Sequence, residues 1–249
     1  MPRYSFTSKS YRSAAIVLRT HKLGEADRIV ILLTPSNGQV RAVAKGVRRT
    51  SSKLGATLEP FMLVEAQLSR GRTLDIVTQA QLKSPYGHAL SQDYARFTAA
   101  SAMADVAERL SADEPDTAAQ YRLLHGALAA LARGDVDPVL LLDSYLLRSL
   151  ATAGWAPSFS ACVRCGAPGP HQAVNIPLGG AVCHACRPAG SMSPAPEAMA
   201  LLDALLRGDW ATAEASEGPA RREAANVVAG YVQWHLERVV KSLKLVERS

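Results

Sequence analysis

With 249 residues, 48% of them apolar, the chain has room for one large domain or a few small ones and enough apolar material for a core, which excludes a disordered protein. No run of about 18 apolar residues occurs, and Met1-Pro2-Arg3-Tyr4-Ser5-Phe6 holds no continuous apolar stretch, so neither a membrane span nor a secretory leader is expected and a cytoplasmic location is. The net charge of +6 is uneven: residues 1–80 carry 13 cations against 5 acids, a net +8, which leaves −2 for the remainder. Such asymmetry points to a polyanion-binding module ahead of a near-neutral body, with an ordinary solvated basic surface as the competing explanation.

The first 80 residues read as strands, because short β-rich runs alternate with turn signals. Strands are expected at Ala14–Thr20, Arg28–Thr34, Gln39–Lys45, Phe61–Ser69 and Thr73–Gln79. Pro35-Ser36-Asn37-Gly38 and Arg70-Gly71-Arg72 supply tight turns, while Gly46 to Pro60 is a longer stretch without strand character. Five strands with the long connection after the third match an OB-fold barrel over residues 1–82; an SH3-like barrel also uses five short strands and stays open as an alternative.

Beyond Pro85 the periodicity becomes helical, giving a helical domain over 83–249 and an α+β chain of two domains. Leu90, Tyr94, Phe97 and Ser101 step by three or four, as do Tyr121, Leu124, Leu128 and Leu131. Asp137-Pro138 is a helix cap followed by proline in the first turn, and Gly154 closes that helix. Glu197–Leu206 and Arg221–Val246 are the last helical segments; in the latter Val227, Tyr231, Trp234 and Arg238 form a stripe beside Val228, His235 and Val239. These stripes are read as core.

Cys162-Val163-Arg164-Cys165 and Cys183-His184-Ala185-Cys186 are separated by 17 residues, the spacing with which two tight turns close four thiolates around one structural zinc ion. Gly166 relieves crowding where the backbone curls around sulfur, and the surrounding glycines and prolines make a zinc ribbon at about 158–190, inserted between helices, with little core of its own. A reducing compartment argues against disulfides, the absence of a βαβ context argues against a thioredoxin-type site, and a shell of four thiolates leaves no open position for catalysis. His171 and His184 are close in sequence, but neither is needed as a ligand.

Several stretches together resemble the RecO family: Ala15-Ile16-Val17-Leu18-Arg19-Thr20, Gly24-Glu25-Ala26-Asp27-Arg28-Ile29-Val30, Ala44-Lys45-Gly46-Val47-Arg48-Arg49 and Leu58-Glu59-Pro60-Phe61. The paired cysteines are similar to the family's zinc-binding branch, and Tyr231, His235-Leu236 and Lys241-Ser242 to its last helix. The resemblance implies an amino-terminal OB domain, a helical domain carrying zinc, and a nucleoid-associated role in recombinational repair. It further implies binding to single- and double-stranded DNA, annealing of complementary strands, and work with RecR and sometimes RecF to help RecA displace single-strand-binding protein.

The residues placed to hold DNA are Lys45, Arg48, Arg49 and Lys53 after the third strand and Arg70 and Arg72 at the hairpin tip, with Arg12, Arg19 and Arg41 as second choices on strand faces. No nucleotide-binding glycine motif, paired histidines or nucleophile elbow occurs in residues 1–80, so no catalysis is expected there; Glu25 and Asp27 read as surface charge. Two alternatives remain: a zinc-ribbon nuclease or related DNA-processing enzyme, and a zinc-ribbon factor acting through protein contacts alone. Tyr4, Phe6, Tyr11 and Phe61 are the only aromatics among those 80 residues, and Phe61 is assigned to the core.

Overall fold

The computed structural model describes residues 9–236 and 240–247; Tyr4, Phe6, Arg238 and Val239 lie outside them. Five strands form the amino-terminal barrel: β1 (Ser10–Leu23), β2 (Asp27–Leu33), β3 (Gln39–Ala44), β4 (Leu63–Ser69) and β5 (Asp75–Ser84). Strand β1 pairs antiparallel with β4 through its first half and with β2 through its second. Strand β3 then pairs with β2 on one side and, in parallel, with β5 on the other, which gives the order β1-β2-β3-β5-β4. That order is the OB topology and resolves the choice against an SH3-like barrel.

Alternation sends Ala15, Val17, Val30, Leu32, Ala42 and Val64 inward to one buried cluster. The connection from Lys45 to Met62 plugs this barrel, because Val47, Leu58 and Met62 join the same cluster and Leu54 packs against it. Its polar residues are thereby held at the surface on an anchored backbone. Strand β1 extends at both ends beyond the stretch legible in the sequence, since serving two partners requires length that its polar ends disguise. Strand β5 likewise runs on through Gln81 and the exposed Leu82, carried by its ladder with β4 rather than by apolar alternation.

Two compact units divide the chain: residues 1–91 with 107–125, and 92–106 with 126–249. Within the first, residues 107–125 pack on the outside of the barrel. Glu108 pairs with Arg19 at 2.8 Å, Ser111 Oγ donates to Gln39 Oε1 at 3.3 Å, and the Thr117 hydroxyl donates to the Thr34 carbonyl. Ile31 and Leu33 alternate with the inward Val30 and Leu32, yet they too are buried, which makes this outer surface a second apolar layer.

The helices are α1 (Tyr86–Leu90), α2 (Tyr94–Leu110), α3 (Ala118–Arg133), α4 (Pro138–Thr152), α5 (Pro196–Arg207), α6 (Trp210–Glu214) and α7 (Gly218–Leu236). Two short strands, β6 (Val174–Asn175) and β7 (Gly180–Ala181), interrupt the helical order between α4 and α5. As expected, Leu124, Leu128 and Leu131 are fully buried, but the stripe read on α2 is not core: Tyr94 is 62% and Phe97 43% exposed. The buried face of α2 is Thr98, Ala99, Ala102, Met103 and Val106, where small side chains allow close packing that hydrophobicity alone does not flag. Trp234 is likewise exposed, although Val227, Val228 and Tyr231 of the same helix are buried. The expected single helix to Val246 is also corrected, because Val240 is extended (φ −76°, ψ 103°) and only a 3₁₀ turn, Lys241–Leu245, follows. Among the described residues no helix is long and apolar enough to cross a membrane.

Asp137 caps α4 as expected, accepting from the N–H groups of Val139 at 2.8 Å and Leu140 at 3.1 Å, while its other oxygen meets Arg221 at 3.3 Å. Asp137→Ala is expected to lower stability by about 1 kcal/mol, measured by denaturant unfolding, chiefly through loss of the cap. Gly154, at φ 92°, ends the helix in the left-handed conformation.

Candidate metal centre and nucleic-acid interface

The four cysteines converge. Their sulfurs all lie within 4.8 Å of one another, and Cys165 and Cys183 are 3.8 Å apart. A tetrahedron built with zinc–sulfur bonds of about 2.3 Å has edges of about 3.8 Å, so both the donor set and its spacing fit zinc. Each knuckle is shaped by its backbone. The N–H of Cys162 donates to the Ala167 carbonyl at 2.9 Å, and Gly166, at φ 72°, returns its N–H to the Cys162 carbonyl at 2.8 Å. The second pair flanks a 3₁₀ turn in which Cys186 N–H donates to Cys183 O at 3.1 Å. Val163 N–H to Ala181 O ties the first knuckle to the stretch leading into the second, and Val182 N–H to Ala173 O ties that stretch to the segment between them, both at 2.9 Å.

Backbone N–H groups of Cys183 and Cys165 aimed at the Cys162 sulfur hold its thiol down at about 6, whereas Cys186, hydrogen-bonded to the sulfurs of Cys183 and Cys165, is pushed up to about 12. Four sulfurs this close cannot all ionise without a compensating cation, and metal binding at such a cluster releases the remaining protons. Cys162, Ala173 and Val182 form a small buried cluster in this module, with Val163 and Ala167 packed against it, so a metal would add a substantial share of what holds the two knuckles together. Gly180 is irreplaceable locally, since a Cβ there would meet the Ser158 carbonyl at 2.1 Å. His171 Nε2 lies 2.9 Å from the Ala167 carbonyl, and His184 is exposed; neither joins the four sulfurs.

Lys45, Arg48, Arg49 and Lys53 are all exposed on the anchored connection after β3. They do not play one part. Arg48 donates to the carbonyls of Gly24 at 3.1 Å and Glu25 at 2.8 Å, and Asp27 accepts the Gly46 N–H at 2.7 Å. Arg48 therefore ties the connection to the turn between β1 and β2, while Lys45, Arg49 and Lys53 extend from it. Arg41 is exposed on β3, and parallel pairing of Ala42 with Asp75 brings the Arg70–Arg72 hairpin alongside that strand. Arg12 is exposed on a different face, opposite Gln67 of β4. Arg19 is engaged by Glu108 where residues 107–125 cover the barrel, so a phosphate would have to displace that carboxylate.

Both modules have been met before as a pair. The family model described as Recombination protein O N terminal matches residues 9–86, and the one described as Recombination protein O C terminal matches residues 91–244. The chain belongs to the RecO family. Proteins named DNA repair protein RecO from Thermobifida fusca and Nocardioides sp. are 55% and 54% identical to it, each over 96% of this chain and 99% of the relative. One from Streptomyces avermitilis is 53% identical over the same shares. Membership in the RecO family places the chain in DNA repair and recombination.

Sequence reasoning missed how the hairpin of this RecO-family barrel is held. The Arg70 guanidinium lies 4.7 Å from the centre of the Tyr11 ring, and the Tyr11 hydroxyl donates to Asp75 at 2.6 Å. The other Asp75 oxygen accepts the Gly71 N–H at 3.0 Å, closing the turn. Burial, followed by the Asp75 bond, raises the Tyr11 hydroxyl well above its ordinary value, so it remains a donor. The one legible signal was Gly71, whose Cβ would meet the Leu74 carbonyl at 1.8 Å.

Proposed function

We propose that this RecO-family chain binds single- and double-stranded DNA through phosphates, anneals complementary strands without covalent chemistry, and helps load RecA, working with RecR and sometimes RecF on DNA covered by single-strand-binding protein. The DNA-binding residues are Lys45, Arg49, Lys53, Arg70 and Arg72, with Arg41 on β3, Arg12 as a further contact on a different face, and Arg48 holding the connection in place. Cys162, Cys165, Cys183 and Cys186 carry one zinc ion, whose chemistry is that of a structural cross-link. The site of action is the cytoplasm, at the nucleoid. The strands of the DNA-binding barrel span Ser10–Ser84, and the helical elements follow from Tyr86.

The observation that carries this reading is the pairing of exposed cations with scarce stacking surface. An OB barrel presents ligands to its β2–β3 face and the loops after β1 and β4; Arg41 lies on β3 and Arg70 and Arg72 after β4, while Lys45 and Arg49 lie on the connection after β3 that Arg48 ties to the turn after β1. Phe61 is buried, and one face of Tyr11 is occupied by Arg70. A protein that grips phosphates and leaves bases unstacked lowers strand repulsion while keeping pairing edges free, as annealing requires. A shell of four thiolates also leaves no coordination position for substrate or water, which supports binding rather than bond breaking.

Replacing Tyr4 and Phe6 by alanine and Tyr11 by leucine is expected to weaken binding to a labelled single strand by less than about threefold, against the roughly 1–3 kcal/mol that each lost base stack would cost. Affinity should fall steeply with salt, on duplex as on single strands. Loss of binding in the aromatic variant together with salt-insensitive affinity would show a stacking protein instead.

A further inference from the structure

The helical unit carries a feature that DNA binding does not use. Helices α5, α6 and the start of α7 enclose a groove of about 930 Å³. Its floor includes Leu201, which is 1% exposed, and its walls are small: Ala200, Ala211 and Pro219 stand exposed along it. Three carboxylates, Glu197, Glu217 and Glu223, line the same groove, and no lysine, arginine or histidine does.

Glu223 accepts the Ala195 N–H at 2.6 Å, which fixes the entry to α5. Among the described residues the side chains of Glu197 and Glu217 make no hydrogen bond or ion pair. Arg207 and Arg221, on the same helices, are engaged with Asp203 at 2.7 Å and Asp137 at 3.3 Å. Residues 81–249 carry a net −2, and this groove concentrates three of their acids around an apolar floor.

We propose that the groove docks a basic segment of a partner protein, which inserts an apolar side chain onto Leu201 between flanking lysines or arginines. Charge complementarity selects that occupant. Uncompensated carboxylates around an apolar concavity attract cations attached to an apolar body and repel anything acidic. The alanine walls allow a peptide backbone to approach closely. Phosphates are repelled within a Debye length of about 8 Å, so nucleic acid does not compete for the groove.

The test uses the full chain and a short fluorescein-labelled peptide of lysine and leucine, with a glutamate–leucine peptide as control, read by fluorescence anisotropy. Saturable binding of the basic peptide alone is expected. Glu197→Lys combined with Glu217→Lys should weaken it by about tenfold or more, with a smaller salt dependence. Ala200→Trp, which fills the groove from an exposed wall, should weaken it comparably without changing charge. Both variants should keep the parent's melting temperature and its affinity for a labelled single strand. Equal binding of the two peptides, or unchanged affinity for the basic peptide in both stably folded variants, would overturn the proposal, as would competition by single-stranded DNA.

Discussion

Serine at Cys162 is expected to cost the helical unit about 4 kcal/mol or more, because loss of a metal ligand is among the few mechanisms that reach that size. Cys162 is the buried member of the four, and its sulfur receives the backbone N–H groups of Cys183 and Cys165. Removing it leaves three sulfurs, an open coordination position and an apolar cluster too small to hold the two knuckles together. Elemental analysis of the parent chain should give one zinc per molecule, and chelation should reproduce the variant's drop in melting temperature. DNA binding should survive both treatments at low temperature. The measurement belongs in the full chain, because residues 107–125 cover the outside of the barrel and a fragment ending near residue 82 would expose Ile31 and Leu33. Parent protein that carries no metal and melts unchanged with chelator would remove the zinc assignment.

Alanine at Lys45, Arg49 and Lys53 together should weaken binding to every DNA sequence alike, by about tenfold to a hundredfold at low salt. The plot of log affinity against log salt should flatten by about 0.7 per lost phosphate contact on single strands and about 0.9 on duplex. Arg48 is left out of this set on structural grounds: its bonds to the Gly24 and Glu25 carbonyls mean that Arg48→Ala would also loosen the turn after β1. Arg48→Lys keeps the charge but not the planar two-donor fork, so it separates the two roles. If the triple variant binds with unchanged affinity and slope, the phosphate track lies elsewhere on the chain.

What was legible in the sequence is what local chemistry enforces. β-rich runs bounded by turn signals located all five barrel strands, and the spacing of four cysteines located the metal centre because coordination geometry leaves few alternatives. The Asp137-Pro138 cap was legible for the same reason: it satisfies backbone donors of its own helix. What escaped was set by distant parts of the chain. Tyr94 and Phe97 share a helical spacing with the buried face of α2, and only the neighbours of that helix decide which stripe turns inward. The packing of residues 107–125 on β1–β3, and with it the capture of Arg19 by Glu108, left no periodic trace. The Tyr11–Asp75 bond spans 64 positions and joins two residues that are unremarkable in isolation. In charge terms, the acidic groove was diluted in an overall count that reads the helical region as near neutral.

Strand annealing by the purified full chain, followed as fluorescence quenching between two complementary labelled oligonucleotides with and without magnesium, reads annealing and cleavage together. Annealing well above the spontaneous rate is expected, insensitive to magnesium, with intact oligonucleotides recovered on a denaturing gel and the activity lost in the Lys45, Arg49 and Lys53 alanine variant. Cleaved oligonucleotides that appear only with magnesium, or annealing undiminished in that variant, would rule out a phosphate-gripping, non-cleaving annealer.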